Sequence, residues 1–534
     1  MIKPRLLLYY AAVAGVLSLA AFSSLHLLNP DSINYISIAQ HYADGHWKEA
    51  INGFWSPLLS WLLFPFVKAG VDPQIASRVV MVLLALATLA IGDRLVRQYA
   101  AAKGKGAALA IYHLAMVPFL ATAVHGNVSP DLLVVFFVLL TIAALSRVSR
   151  LKDRSKRALV GIGLLGGVGF LAKAFLLPFF IVTAGVWYLL LGEGGATAKL
   201  TERLKRFGLV VVGFAVVVVP WITLLSFKYE QVTIGSVGKY SMAYVGPKSV
   251  GHPVRNGLLP PPNDYAASPW EDPSWHPYRK WSPLQSWDDL AYFADYVFNR
   301  NIPAVNSVLA ELSPYLLGVL LIVAGLLVTH QVNFRQRDFF VLAVVMSVIY
   351  TLGYYAAQVV GGGRYLWPVL ALSILSVSVL GGTWYARTNG RTQRVLAIIL
   401  IAIFVWPNYF NFYAFDQKRG YDDEQSLYQA GQFVKKRVEP RARFASNSLR
   451  ASTHVAYYAN LKGYGTTAPG GPISNAGTRN ALHDYQIKYF LYVDRPHVQE
   501  DLSGFDVIAT TYVRFNDPRS DFPGGPHKAY LIKL

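Results

Sequence analysis

Long apolar stretches, each close to the length needed to cross a bilayer, constrain this chain more than any other feature. They fall at about 6–28, 75–93, 107–124, 131–146, 158–172, 174–191, 207–227, 304–329, 338–357, 365–386 and 395–414. A helix rises about 1.5 Å per residue, so about 20 apolar residues bridge the roughly 30 Å hydrocarbon core. Only 15% of the 534 residues are charged, against about 25% in soluble proteins, which agrees with a chain that lives largely in lipid. The expected fold is a polytopic α-helical membrane protein of about 11 spans.

Two runs need interpretation. Residues 158–191 would make one helix of roughly 50 Å, too long for the core, so two short spans meeting in a tight hairpin near Lys173 are expected. Residues 54–69 (FWSPLLSWLLFPFVKA) carry Pro57, Pro65 and Lys68 and favour a helix lying in the interface over a short span. The first run follows Lys3 and Arg5, is too long for a signal-peptide core and lacks a small-residue cleavage site before Asn29, so a retained first span is expected. The positive-inside rule supports this arrangement. Basic clusters at 94–105, 147–157, 199–206, 335–337 and 387–394 then share the cytoplasmic side with Lys3 and Arg5, whereas the outer turns 125–130 and 358–364 hold only Arg364. The N-terminus is expected in the cytoplasm and the C-terminus outside.

The chain divides into a membrane part, 1–414, with outer loops 29–74 and 228–303, and a tail, 415–534, that reads as a small soluble α/β domain. In the tail, helical patterns at 424–437 and 450–459 alternate with strand-like runs at 443–447, 487–493, 506–513 and 528–533. It shows no glycine-rich phosphate loop and no clustered metal ligands; Gly470-Gly471 and Gly524-Gly525 are turn signals. The 228–303 loop holds Trp270, Trp275, Trp281 and Trp287 and nine prolines between Pro247 and Pro283, a content that argues against disorder. Two roles suit it: a cap resting on headgroups, or a cover for a site. The net charge of +19 is spread along the connections between spans, so the bilayer, not nucleic acid, is the expected partner. With no cysteine, disulfides and thiolate metal sites are excluded.

The candidate chemistry lies at the outer ends of the spans, where ionisable residues are costly without a partner or a task. Asp31, in Asn29-Pro30-Asp31-Ser32-Ile33-Asn34-Tyr35, opens a short amphipathic helix directly after the first run. Either Asn29 or Asp31 could cap that helix, or Asp31 could accept a proton from a hydroxyl at the membrane face. Asp131 follows His125-Gly126-Asn127-Val128-Ser129-Pro130, a stretch that also reads as a helix start. Asp31, Asp131 and His125 have the side chains to hold a divalent metal, though their spacing is not diagnostic of one. Lys173 interrupts 34 otherwise uncharged residues, and Arg364 and Tyr365 follow Gly361-Gly362-Gly363. A glycine-flanked arginine can approach a phosphate closely. Headgroup anchoring is the alternative for both cations.

The order of several stretches resembles the GT-C superfamily of polytopic glycosyltransferases, in the branch of the protein O-mannosyltransferases and the lipid A aminoarabinose transferase. They are DSINYISIAQHYADGHW at 31–47, SPLLSWLL at 56–63, ASRVVMVLLALATLAIGDRLV at 76–96, SPDLLVVFFVLL at 129–140, GFLAKAFLLPFF at 169–180 and RYLWPVLAL at 364–372. The resemblance implies a membrane enzyme that takes a sugar from a polyprenyl-phosphate donor and inverts the anomeric centre. The acceptor would be a hydroxyl of a glycolipid, polysaccharide or protein, and the location the bacterial inner membrane. It matches Asp31 to a catalytic acidic position, Asp131 to a second acidic position, and Lys173 and Arg364 to positions suited to the lipid phosphate. His125 and Tyr365 are expected on the substrate side. Relatives often have Asp-Glu where this chain has Asp31-Ser32, which weakens the case for a metal. No organic cofactor is implied. The rival function is a transporter or flippase of lipid-linked sugars.

Overall fold

The apolar run 158–191 folds as two helices, Lys156–Ala172 and Leu176–Gly185, the second continuing as a π-helical turn over Val186–Leu191. The break falls at Lys173, where the backbone becomes extended (φ −158°, ψ 129°). The computed structural model describes residues 4–534 apart from 127, 192–198, 248, 250–252, 256, 313–315, 329–333, 357–362, 388–389, 393–394, 396–398, 400–420, 468–472, 495–499, 516–521 and 523. Among the described residues, six helices are long and apolar enough to cross a membrane: Pro73–Tyr99, Ala102–Gly126, Asp131–Leu151, Leu200–Lys228, Gln336–Tyr355 and Gly363–Arg387. The first helix, Pro4–Phe22, stops short of the expected 28, and the chain turns through 23–28. Within the run 304–329 the described helices are Ile302–Leu312 and Leu316–Val328. The run expected at 395–414 falls almost wholly outside the described residues.

The proline-interrupted stretch 54–69 forms the helix Leu58–Lys68, whose 11 residues reach roughly 16 Å, about half a hydrocarbon core. It packs along the helix Pro30–Asp44: the Ser60 hydroxyl donates to the Tyr35 carbonyl at 2.8 Å and Lys68 Nζ to the Ala43 carbonyl at 2.7 Å.

Small residues let the long helices touch backbone to backbone. A Cβ placed on Gly163 would lie 2.0 Å from the Val210 carbonyl oxygen, and one on Gly213 would lie 2.2 Å from that of Val160. Helices 156–172 and 200–228 therefore pair as membrane helices with small interfacial residues do. The helix Trp367–Arg387 is buried from Trp367 to Thr383. Its Ser376 and Ser378 hydroxyls donate to the carbonyls of Leu372 and Ile374, four residues back, which satisfies them without a partner from another helix.

Arg78 is fully buried on the helix Pro73–Tyr99. Its guanidinium donates to the carbonyls of Ser24 (2.5 Å), Leu27 (2.8 Å) and Val124 (3.2 Å). A single side chain thus ties the 23–28 turn to the end of the helix Lys105–Gly126.

The C-terminal domain is a five-stranded sheet in the order β2-β1-β3-β5-β4, with β1 Arg443–Ser446, β2 Lys462–Thr466, β3 Tyr489–Val493, β4 Asp506–Phe515 and β5 Gly525–Lys533. Strand β1 runs parallel to β2 and β3, and β5 antiparallel to β3 and β4. The helices Tyr421–Lys435 and Leu449–Ala459 match the expected pattern; β2 and the helix Ala476–Asp484 add to it. Strand β2 reads KGYGT, and its two glycines hide it from a propensity reading.

The domain docks on one end of the helical bundle. His454 Nε2 lies 2.7 Å from the Leu28 carbonyl, the Tyr458 hydroxyl donates to the His26 carbonyl at 3.1 Å, and the His26 ring stacks on Tyr428 at 3.6 Å. Beside these contacts, the Gly463 amide donates to the Ala267 carbonyl at 2.9 Å and Lys462 pairs with Asp264 at 2.6 Å. The contacts fix the turn before Asp31 and the loop segment 264–267 against the domain.

Candidate active site

Asn29, not Asp31, caps the helix Pro30–Asp44: its Oδ1 accepts from the Ser32 amide at 2.8 Å and the Ser32 hydroxyl at 3.0 Å. Ser32 is therefore spent on the cap, while Asp31, in the first turn, is left to bind elsewhere. Arg364 Nη2 donates to Asp31 Oδ2 at 2.5 Å, and the Trp270 indole N–H donates to Asp31 Oδ1 at 3.3 Å.

Asp131 opens the helix Asp131–Leu151 after Pro130. The Ser129 hydroxyl donates to its Oδ2 at 2.8 Å rather than capping the backbone. Lys173 Nζ, from the hairpin turn, reaches Asp131 Oδ1 at 2.6 Å, and Arg364 Nε lies 3.5 Å from Oδ2. Arg364 stands in the turn Gly363–Leu366 at the head of the helix Trp367–Arg387. It touches both carboxylates, and its Nη1 is buried with no hydrogen-bond partner among the described residues. Tyr365 completes the group: the Lys173 ammonium sits 4.3 Å from its ring centroid, and Arg364 Nη2 donates to its hydroxyl oxygen at 3.2 Å.

Five of the six residues singled out in the sequence thus meet in one cluster. His125 does not join them. Its Nδ1 lies 2.9 Å from the Ala20 carbonyl, and its own carbonyl accepts from the Ser24 hydroxyl. Asp31, Asp131 and His125 are therefore not a ligand trio in space, and no group of three potential ligands gathers among the described residues. The donor set at the cluster, two carboxylates each already held by a cation, does not fit a metal.

A second polar group lies behind Asp31. In the loop segment Pro269–Glu271, Glu271 is buried, with Oε1 2.7 Å from His41 Nε2 and Oε2 accepting from the Ser37 hydroxyl at 2.7 Å. The visible signal was the polar stripe Asn34, Ser37 and His41, one face of the helix at i, i+3 and i+7. Burial alone pushes the Glu271 carboxyl up and the His41 imidazole down. Their mutual attraction and hydrogen bonds outweigh it, holding the carboxyl below its ordinary 4.5 and the imidazole above its ordinary 6.5. The carboxyl's stabilisation is present above pH 4.5 and lost as pH falls through its lowered value; the imidazole's is full below pH 6.5 and lost as pH rises through its raised value. The melting-temperature gap between the wild type and Glu271→Gln is expected to be widest between pH 4.5 and 6.5 and to narrow on both sides. A gap that does not vary with pH would contradict the ion pair.

Residues 55–223 match the family model described as dolichyl-phosphate-mannose-protein mannosyltransferase. ArnT from Cupriavidus metallidurans in the apo state has a similar structure, with a TM-score of 0.55 at 14% identity, covering 99% of this chain and 98% of that one. The chain has the fold of ArnT. The matched segment contains Asp131 and Lys173. ArnT bound to undecaprenyl phosphate gives a TM-score of 0.55 at 13% identity, with 99% and 98% coverage. The archaeal oligosaccharyltransferase AglB from Archaeoglobus fulgidus, in complex with an inhibitory peptide and a dolichol-phosphate, gives 0.52 at 10% identity, covering 91% of this chain and 69% of that one. No curated protein sequence matches the chain.

Proposed function

We propose that this protein is an integral-membrane glycosyltransferase that moves a sugar from a polyprenyl-phosphate donor to a hydroxyl of a glycolipid, polysaccharide or protein, with inversion, at the outer membrane face. The observation that carries the reading is the Asp31–Arg364–Asp131–Lys173 cluster with one guanidinium nitrogen of Arg364 buried and unpartnered among the described residues. The cluster lies at the N-terminal ends of two long helices, Asp131–Leu151 and Gly363–Arg387, where the helix dipole favours an incoming anion. Lys173 and Arg364 would hold the lipid phosphate. Arg364 exchanges Asp31 for phosphate, and the released carboxylate takes the proton of the acceptor hydroxyl. The acceptor oxygen bonds to the anomeric carbon as the carbon–oxygen bond to phosphate breaks on the opposite face. The bonding pair leaves with the polyprenyl phosphate, where preorganised cations in a site of low dielectric stabilise it best.

The charge distribution supports placing residues 1–414 in a bacterial inner membrane with the N-terminus in the cytoplasm, and 415–534 as an extracytoplasmic domain. The charged groups meet at helix ends rather than along a mid-membrane path, which favours surface chemistry over transport.

The test is mass spectrometry of glycolipids and envelope glycans with and without the gene. Its loss removes one sugar and the wild-type gene restores it. An Asp31→Asn protein at normal membrane levels restores little, with the transfer rate down about a thousandfold for a lost general base. Full restoration by Asp31→Asn would overturn the assignment.

A further inference from the structure

The residues that hold Asp31 in place include a segment some 240 positions away in sequence. Trp270 donates its indole N–H to Asp31 Oδ1 at 3.3 Å. Its backbone carbonyl accepts from Asn34 Nδ2 at 3.0 Å and from the Trp55 indole at 3.2 Å. The next residue, Glu271, binds Ser37 and His41 through its carboxylate, and its carbonyl accepts from Asn52 Nδ2 at 2.8 Å. Asp272 accepts from the Tyr229 hydroxyl at 2.5 Å and from the Ser274 hydroxyl at 2.6 Å. Three consecutive residues are thus fastened to the Asp31 helix, to the loop after it and to the end of the helix Leu200–Lys228. Strand β2 backs the segment through the Gly463–Ala267 hydrogen bond.

A headgroup-resting cap would need none of these polar contacts. Trp275 and Trp287 are exposed and could serve that purpose, whereas Trp270 faces inward, its ring 6.2 Å from those of Phe54 and Trp55. With Arg364 on Oδ2 and Trp270 on Oδ1, the plane of the Asp31 carboxylate is fixed from both sides. When phosphate takes Arg364, the indole is the contact that remains.

We infer that Trp270 and Glu271 are positioning residues of the active site: Trp270 orients the Asp31 carboxylate toward the acceptor hydroxyl, and Glu271, through Ser37 and His41, fixes Trp270 against the Asp31 helix. The inference rests on the transferase reading above and extends the site into the 228–303 loop. Neither residue is expected to touch the lipid phosphate. Their loss should therefore slow transfer without weakening lipid binding.

The experiment uses the full-length protein in membranes of a strain lacking the gene, with the initial rate of product formation measured by mass spectrometry per amount of enzyme. Undecaprenyl phosphate affinity and melting temperature are measured on the purified protein. Trp270→Phe keeps the ring and removes the N–H; it should cut the rate about tenfold, the usual effect of one hydrogen bond to a charged group, with affinity and melting temperature unchanged. Glu271→Ala should lower the rate similarly. Glu271→Gln should recover most of it, because the amide can accept from His41 and donate to Ser37. A wild-type rate for Trp270→Phe, a Trp270→Phe loss that follows its melting temperature, or an equal loss of its lipid affinity would each overturn the inference. Asp31→Asn run alongside separates the two readings. If it transfers normally, the transferase mechanism fails; if it is inactive while Trp270→Phe is normal, only the positioning role fails.

Discussion

On the proposed function, Arg364→Leu is expected to bind undecaprenyl phosphate at least a hundredfold more weakly than the wild type and to transfer no measurable sugar. Arg364 donates to Asp31 at 2.5 Å and lies 3.5 Å from Asp131, with Nη1 left over. In the proposed complex the guanidinium gives the phosphate a forked contact, and each charge-assisted hydrogen bond contributes about 1.5–3 kcal/mol. Two such bonds correspond to roughly a hundredfold or more in affinity, at about 1.4 kcal/mol per factor of ten. Arg364→Lys keeps the charge but cannot span two carboxylates, so an intermediate loss of about tenfold is expected. Titration of the purified variants with undecaprenyl phosphate reads both values. Wild-type affinity in Arg364→Leu would remove the guanidinium from the donor site and leave Lys173 as the lipid's cation.

The second large effect concerns a residue that touches no candidate substrate. Arg78→Met is expected to destabilise the protein by about 3 kcal/mol, because three buried carbonyls lose their donor at about 1–3 kcal/mol each, partly offset by the relief of a buried cation. No carboxylate pairs with Arg78 among the described residues; its partners are backbone carbonyls, the nearest those of Ser24, Leu27 and Val124, with Leu25 and His125 farther off. The 23–28 turn it holds also presents the Leu28 carbonyl to His454 and the His26 carbonyl to Tyr458. Loosening the turn should therefore loosen the C-terminal domain as well. Limited proteolysis and thermal melting report this directly, with new cleavage between residues 23 and 29 in the variant. An unchanged melting curve and cleavage pattern would show that the turn holds without Arg78.

Much of this arrangement was legible because membrane helices announce themselves by length and composition. The hairpin at Lys173, the short helix at 58–68 and the gathering of Asp31, Asp131, Lys173 and Arg364 at one end of the bundle all follow from span ends and loop charges. Sequence position fixes which end of a helix a residue occupies, but not which way it faces. His125 sits at the expected end, in the last turn of its helix, and turns toward Ala20 instead of the cluster, a matter of about 100° of rotation per residue that loop counting cannot resolve. Asp31 met a similar limit: Asn29 and Asp31 are equal candidates for the cap by sequence, and the Ser32 amide bond to Asn29 settles it, leaving Asp31 to Arg364, 333 residues on. The Trp270–Glu271–Asp272 segment was hidden for a different reason. It begins in a single 3₁₀ turn, and its partners beyond the loop lie about 40 to 240 residues away; the periodicity of the segment itself does not report such contacts. Strand β2 was hidden by its glycines, of which Gly463 pairs with β1 on one side and packs against the loop residue Ala267.

The pairing of two cations with two carboxylates has a consequence for what the site can attract. Its formal charge at rest is close to zero, and a neutral cluster casts little field beyond a Debye length of about 8 Å. Phosphate and nucleotides in the surrounding water would not be drawn in by long-range steering. A lipid donor needs no such pull, since its polyprenyl chain confines it to the bilayer and lateral diffusion brings it to the cluster. Discrimination then happens at contact, when a ligand displaces a carboxylate from Arg364 and so frees Asp31. In the proposed reading, the resting salt bridges act as a filter that soluble anions seldom test and that the lipid meets at every encounter.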